Sequence, residues 1–287
     1  MKELWISSQK DKMSIQSLKH SDYVTTTTEK LLKTFKGFNK NVRIFRNMFD
    51  WNLPQWNLDK ETIRNEMLPE WKDVKNKIII GWAGLTSHFE DIKRMHAIFK
   101  VIHDKHPNTY FVLAGMALKD TQVEIQHDEK GKPMFKEHEI KDESSLYRNR
   151  VKKMYDDLDP KRLKIFDAVQ LEEYGKFYAL FDISFSYIEH NTFNSCKSEI
   201  KVIESLKYGC ITLFSDFGGY RDFWSSVPSH LKRPNVSIDM TSPGIWIKAV
   251  DHWIKNISES KKYFNDLKQF SDDIYDIANA ITDGRVQ

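Results

Sequence analysis

Lys197, Lys201 and Glu204, spaced four and three apart, bring two cations and a carboxylate near one face at the start of a helix. Ammonium groups and free backbone N–H groups at such a place hold a phosphate, while a carboxylate one turn on takes sugar hydroxyls. These residues stand in HNTFNSCKSEIKVIESLKYGCITLFSDFGGY, from His190 to Tyr220, which joins a polar loop, a helix, a glycine stop, a strand and a glycine-rich loop. Ser198, Ser195 or Asn194 can cap the helix, and Gly209 suits the left-handed position after its last turn. Cys210 to Phe214 reads as a buried strand. Gly218 and Gly219 follow it, where a backbone can come close to a ligand at the carboxyl edge of a sheet. A solvated Lys/Glu face on an ordinary helix is the alternative reading of the same spacing.

A second set of candidates lies upstream in IIIGWAGLTSHFEDI. An apolar run, a glycine loop and an amphipathic helix through Ile92, Met95, Ile98, Phe99 and Ile102 make a strand-helix unit. Gly81 and Gly84 let the chain turn tightly, and the helix start is a natural anion site. Gly84, Ser87 and His88 are the candidates here, against the plainer reading of polar residues that simply begin a helix.

The elements that must position these groups follow from the rest of the pattern. Thr109 to Gly115 is a second buried strand, Leu163 to Phe166 and Ile183 to Tyr187 are a third and fourth, and a short helix runs from Leu171 to Phe181. Strands alternating with helices imply an α/β fold with a doubly wound parallel sheet and a ligand at the carboxyl ends of its strands. Residues 116–160 read as a charged insertion that projects from the sheet without joining its core, with a hairpin turn at Lys130 and Gly131. Its His127 and His138 lack partners at metal-binding spacing, so no metal site is expected. Residues 243–287 read as C-terminal helices, and the first 40 residues as a polar segment that is helical apart from an extended stretch at Thr25 to Thr28.

The run FDISFSYIEHNTFNSCKSEIKVIESLKYG resembles the donor-binding segment of GT-B glycosyltransferases, in the variant with an Asn-x-x-Lys-Ser-x-x-Lys-x-x-Glu pattern. The resemblance implies a Rossmann-like fold equivalent to the C-terminal half of GT-B, spanning residues 72–287. It also implies that residues 1–71 are a remnant of the N-terminal domain and linker, since SDYVTTTTEKL is similar to that domain's last strand and helix. Asn47 and Asp50 stand at the family's places in the loop that follows, although a strand and turn without ligand is the simpler reading of both. The resemblance places Glu204 on the ribose and Lys197, with the Lys197 to Glu199 backbone, near the donor diphosphate; together with the residues read above, the diphosphate candidates are Gly84, Ser87, His88, Lys197, Ser198, Lys201, Gly218 and Gly219. The commoner family pattern has an acidic residue eight before Glu204, where this chain has Cys196, and an Arg and a Lys near Ser87. Neither role carries over, and no residue is assigned as catalytic.

Composition sets outer bounds. The chain has 287 residues with 44 basic and 41 acidic side chains, a net charge of +3 that points to no nucleic-acid partner. Two cysteines, Cys196 and Cys210, argue against a disulfide framework and fit a reducing, cytoplasmic setting. No apolar run reaches the roughly 20 residues of a spanning helix. The expectation is a donor-binding portion that transfers sugar from a nucleotide diphosphate sugar without a metal or other cofactor. The leading segment and C-terminal helices would expose Trp5, Trp246 and Trp253 to a second copy or a separate acceptor-binding subunit. The rival expectations are a non-catalytic nucleotide-sugar-binding or structural protein that keeps the half-fold, and a nucleotide-sugar epimerase of GT-B form.

Overall fold

The computed structural model describes residues 9–71, 77–116, 121–127, 133–139, 147–239 and 242–276. The first unit is small: α1 (Gln9–His20), β1 (Val24–Thr26), α2 (Glu29–Phe35) and β2 (Val42–Ile44), with β1 and β2 paired in parallel. Thr28 begins α2 by accepting the Leu31 N–H on its side-chain oxygen. The chain continues through α3 (Lys60–Met67), β3 (Ile78–Ala83), α4 (Phe89–Lys105), β4 (Thr109–Met116), β5 (Thr121–His127), β6 (Pro133–Glu139) and α5 (Tyr147–Met154). It ends with β7 (Leu163–Asp167), α6 (Gly175–Leu180), β8 (Ile183–Ser186), α7 (Ile200–Lys207), β9 (Ile211–Ser215), α8 (Gly218–Ser226), β10 (Ser237–Ile238), α9 (Pro243–Lys255) and α10 (Ile257–Tyr275).

Six strands form one parallel sheet in the order β10-β9-β8-β3-β4-β7. The chain starts at β3, works outward through β4 to β7, then returns to the other side of β3 as β8 and works outward again. That reversal leaves a crevice between β3 and β8 at their carboxyl ends, where open α/β sheets bind ligands. Both central strands are buried along almost their whole length, as expected of a parallel sheet covered on both faces. Helix α4 packs with α5 and α9, and α7 packs with α6 and α10.

Three expectations are corrected here. Trp246 and Trp253 are buried in this same unit rather than exposed: Trp246 stacks on Phe185, and Trp253 stacks on Tyr263 while its indole N–H donates to the Asn235 carbonyl. The apolar residues of α9 are therefore used by α10 and the sheet, which removes that argument for an exposed interface. Trp5 lies outside the described residues. The 116–160 stretch does reach the core, since Tyr147, Val151 and Tyr155 recur every fourth residue along α5 and its exit, and all three are buried. Only β5 and β6 stand apart, as a separate antiparallel pair; the Lys130–Gly131 turn between them lies outside the described residues. The helix read from Leu171 to Phe181 begins with a single tight turn and becomes α-helical only at Gly175. Just before β8, Asp182 has a buried carboxylate that accepts the Ile79 N–H at 3.0 Å and pairs with Arg64 at 3.1 Å.

Candidate functional site

The carboxyl edge at the β3–β8 crevice gathers side chains from three parts of the sequence. Gly84 follows β3, His88 and Asp91 open α4, Lys197 lies in the loop before α7, and Lys201 and Glu204 come from α7 itself. Helix α7 starts at Ile200, and no side chain caps it; Glu199 occupies the cap position. Ser198 does not serve as the cap, because its hydroxyl instead accepts from the Asn47 amide at 2.7 Å. Asn194 is engaged through its amide with Asp91 and the Glu189 carbonyl, and Ser195 with the Thr192 carbonyl, so neither reaches α7 either. Gly209 ends α7 with φ of +63°, the left-handed conformation read from the sequence.

Asp91 organises the cluster. One carboxylate oxygen accepts from the Glu189 N–H at 2.7 Å and the Asn194 amide at 3.1 Å, while the other lies 2.6 Å from His88 Nδ1. Lys197 Nζ lies 3.2 Å from His88 Nδ1 and 3.4 Å from Nε2; with Nδ1 donating to Asp91, Nε2 is the ring atom left as an acceptor. The imidazole is thus held neutral. Burial lowers its pKa to about 4, the Lys201 and Lys197 charges act in the same direction, and Asp91 opposes them. Lys197 also lies over the exposed Phe193 ring, and burial lowers its own pKa.

Lys201 reaches deeper. Its Nζ is buried with no hydrogen-bond partner among the described residues, and it lies 4.4 Å from the centre of the Trp82 ring. A Cβ at position 84 would collide with that ammonium group and with the indole, so only glycine leaves Lys201 this place. Burial brings the lysine down to about 7, helped by the neighbouring Lys197 charge and opposed by Asp91 and Glu204. Glu204 is pushed up to about 7, again by burial, against a hydrogen bond from the Tyr178 hydroxyl at 2.8 Å and the Lys201 charge. One face therefore holds a cation without an acceptor and a carboxyl group one turn further on.

Gly84, His88, Lys197, Lys201 and Glu204 are thus brought together. Ser87 is exposed and faces a neighbouring cavity of about 530 Å³ that it lines with Asp91, Asn191 and Asn194. Gly218 and Gly219 are not a free loop; they form the first turn of α8 and press on the backbone at Asn194 to Glu199. Their role is to seat the loop that carries Lys197. A Cβ on Gly219 would lie 2.6 Å from the Lys197 carbonyl oxygen, a distance the backbone must move to relieve. Gly219→Ala is expected to shift this loop at a stability cost of about 1–3 kcal/mol, the scale of overpacking; chemical denaturation with an unchanged midpoint would contradict it.

Sequence reading missed Asp91, Tyr178 and Trp82. Asp91 could have been found from its i,i+3 spacing to His88 in the first turn of a helix, and Trp82 from its place just before Gly84. Nothing local marks Tyr178. Among the described residues no group of three or more His, Cys, Asp or Glu is arranged to hold a metal ion, and no helix is long and apolar enough to cross a membrane.

An α/β chain with a six-stranded parallel Rossmann-like sheet in this order matches part of the GT-B glycosyltransferases. No family model and no curated protein matches the sequence. Among solved structures, sucrose-phosphate synthase from Thermosynechococcus elongatus superposes with a TM-score of 0.62 at 12% identity, over 97% of this chain and 61% of that one. Anabaena HepE, solved in complex with UDP-glucose, gives a TM-score of 0.66 at 12% identity over 97% of this chain and 68% of that one. WaaG, a glycosyltransferase involved in lipopolysaccharide biosynthesis, gives 0.58 at 11% identity over 90% and 61%. The chain spans roughly two thirds of the length of these structures.

Proposed function

We propose that the chain binds a nucleoside diphosphate sugar at the carboxyl edge of its sheet and acts as the donor-binding portion of a metal-independent glycosyltransferase. The observation that carries this reading is the buried Lys201 ammonium. It lies without an acceptor beside Lys197, at the switch point of a sheet whose fold is that of enzymes of this class. An unpaired buried charge is costly, and a diphosphate is a partner that would offset that cost. Lys201 and Lys197 would then face the charge that builds on the leaving diphosphate during transfer. Glu204, one turn on, would take the ribose hydroxyls, its other partner Tyr178 fixing the carboxyl group from behind. HepE's complex with UDP-glucose supports UDP sugars as the first donors to try.

Removing the ribose acceptor isolates this assignment. Glu204→Ala is expected to weaken UDP binding by about 1–3 kcal/mol while leaving pyrophosphate binding nearly unchanged. Calorimetry with equal UDP affinity for both proteins would overturn the ribose role. A second reading, a nucleotide-sugar-binding protein without turnover, is favoured by one feature: Cys196 stands where the commoner pattern has its first acidic residue, and its backbone carbonyl receives the Thr28 hydroxyl. UDP binding without UDP release from UDP-glucose, with and without an added sugar acceptor, would decide for that reading.

A further inference from the structure

The opposite, amino edge of the sheet carries a cavity of about 560 Å³ between α3, the turn at Gly209 and α10. Four cations line it, Lys60, Arg64, Lys77 and Lys261, against two carboxylates, Glu61 and Asp182. Asp182 is already committed, with one oxygen on Arg64 and the other accepting from the Ile79 N–H. Glu61 makes no ion pair among the described residues. Even with Lys77 set aside, Lys60, Arg64 and Lys261 outnumber the two carboxylates inside one concave site.

Arg64 is paired with Asp182, whereas Lys60 and Lys261 make no ion pair among the described residues. Lys60 donates to the Phe181 and Tyr208 carbonyls, and Arg64 donates to the Leu180 carbonyl through Nε and Nη2. Carbonyl dipoles fix where the Lys60 ammonium sits without cancelling its charge. Burial lowers the Lys60 pKa, and the charges of Arg64 and Lys261 push in the same direction while Cys210 and Asp182 oppose them. Those two lysines and the arginine therefore crowd one another electrostatically. Arg64 keeps Nη1 free of any acceptor among the described residues, and the side chains of Lys261, Asn65 and Asn265 have no hydrogen-bond partner there either. Fastening the end of α6 explains Lys60 and Arg64. It does not explain why Lys261 and Asn265, from α10, face the same space.

We propose that this amino-edge cleft is a binding site for a phosphate group, carried by a phosphorylated small molecule and held by Lys60, Arg64 and Lys261 with Asn65 and Asn265 as neutral donors. A dianion there would relieve the mutual repulsion of three cations, and charge-assisted bonds to a lysine and an arginine fork are the strong kind. The site is separate from the proposed donor site, since Asp182 precedes β8 whereas Glu189 follows it. It stands or falls without the donor reading.

The test titrates the full chain with inorganic phosphate and with a hexose phosphate, followed by calorimetry at low ionic strength. Lys261→Glu and Asn265→Ala alter side chains without structural bonds, and circular dichroism with the melting temperature checks that both fold. The expected result is a binding event that weakens at least tenfold in Lys261→Glu and by less in Asn265→Ala, and that persists in Lys201→Met at the other edge. Tighter binding of the hexose phosphate identifies a phosphomonoester as the ligand and equal binding identifies the free anion; either supports the site. Absence of binding by both probes, or binding that is lost in Lys201→Met but retained in Lys261→Glu, overturns it.

Discussion

Lys201→Met is expected to weaken binding of a nucleoside diphosphate by about 2–5 kcal/mol, the range for removing one partner of a buried charge pair, or roughly 30- to 5,000-fold in affinity. The size follows from where the ammonium lies. Its Nζ is buried, has no acceptor among the described residues, and rests on the Trp82 ring beside Gly84, so water does not screen a phosphate placed there as it would at the surface. Methionine keeps the chain length and apolar stem, leaving the packing against Trp82 in place. A smaller loss is expected for Lys197→Met, whose charge is shared with the Phe193 ring and the water around it.

The same lysine sets a pH dependence whose sign can be worked out. In the free chain burial holds it near 7, well below the ordinary 10.5, so above that pH most chains carry it neutral. A bound diphosphate favours the ammonium and raises its pKa, so binding above pH 7 takes up a proton. Affinity for UDP should then fall as pH rises from about 7.5 to 9.5, by up to tenfold per unit. Glu204, pushed up to about 7, is already mostly a carboxylate over that window and adds little to the slope. Lys201→Arg keeps a permanent charge and should flatten the profile. A wild-type affinity constant across the window, with UDP binding intact, would show that Lys201 does not meet the diphosphate.

How far the sequence reached can be judged from particular residues. The sheet was legible because its strands are written as continuous apolar runs, and Ile78 to Ala83 and Thr109 to Met116 could be nothing but covered on both faces. Lys197, Lys201 and Glu204 were legible because helical spacing is local. Asp91 was not, since its partners at Glu189 and Asn194 lie about a hundred residues away and only the fold brings them together. Ser198 misled for a related reason. A serine just before a helix favours capping, but Asn47, distant in sequence, offered its hydroxyl a donor, and the chain turned to meet it. Trp246 and Trp253 misled because an aromatic helix face says that something covers it without saying what. Here α10 and the sheet do.

The largest stability loss is expected away from the site, at Asp182. Asp182→Ala should destabilise the chain by about 3–5 kcal/mol, the cost of breaking a buried ion pair by removing one partner. Three central strands meet at this residue: its N–H donates to the Ile79 carbonyl, its own carbonyl accepts from Ile211, and its carboxylate accepts from the Ile79 N–H. The backbone bonds survive substitution, but the Ile79 N–H would be left buried and unpaired, which alone costs about 1–3 kcal/mol. The rest comes from Arg64, whose guanidinium keeps the Leu180 carbonyl but loses its carboxylate. Because Arg64 is partly exposed, water recovers some of that second loss, which places the expected cost in the lower half of the range. Asp182→Asn separates the two contributions, since an amide oxygen can still accept from Ile79 while carrying no charge for Arg64. Urea denaturation should rank wild type above Asn and Asn above Ala, with similar slopes. Equal midpoints for wild type and Ala would mean that the junction of β3, β8 and β9 at the amino edge is held by packing alone.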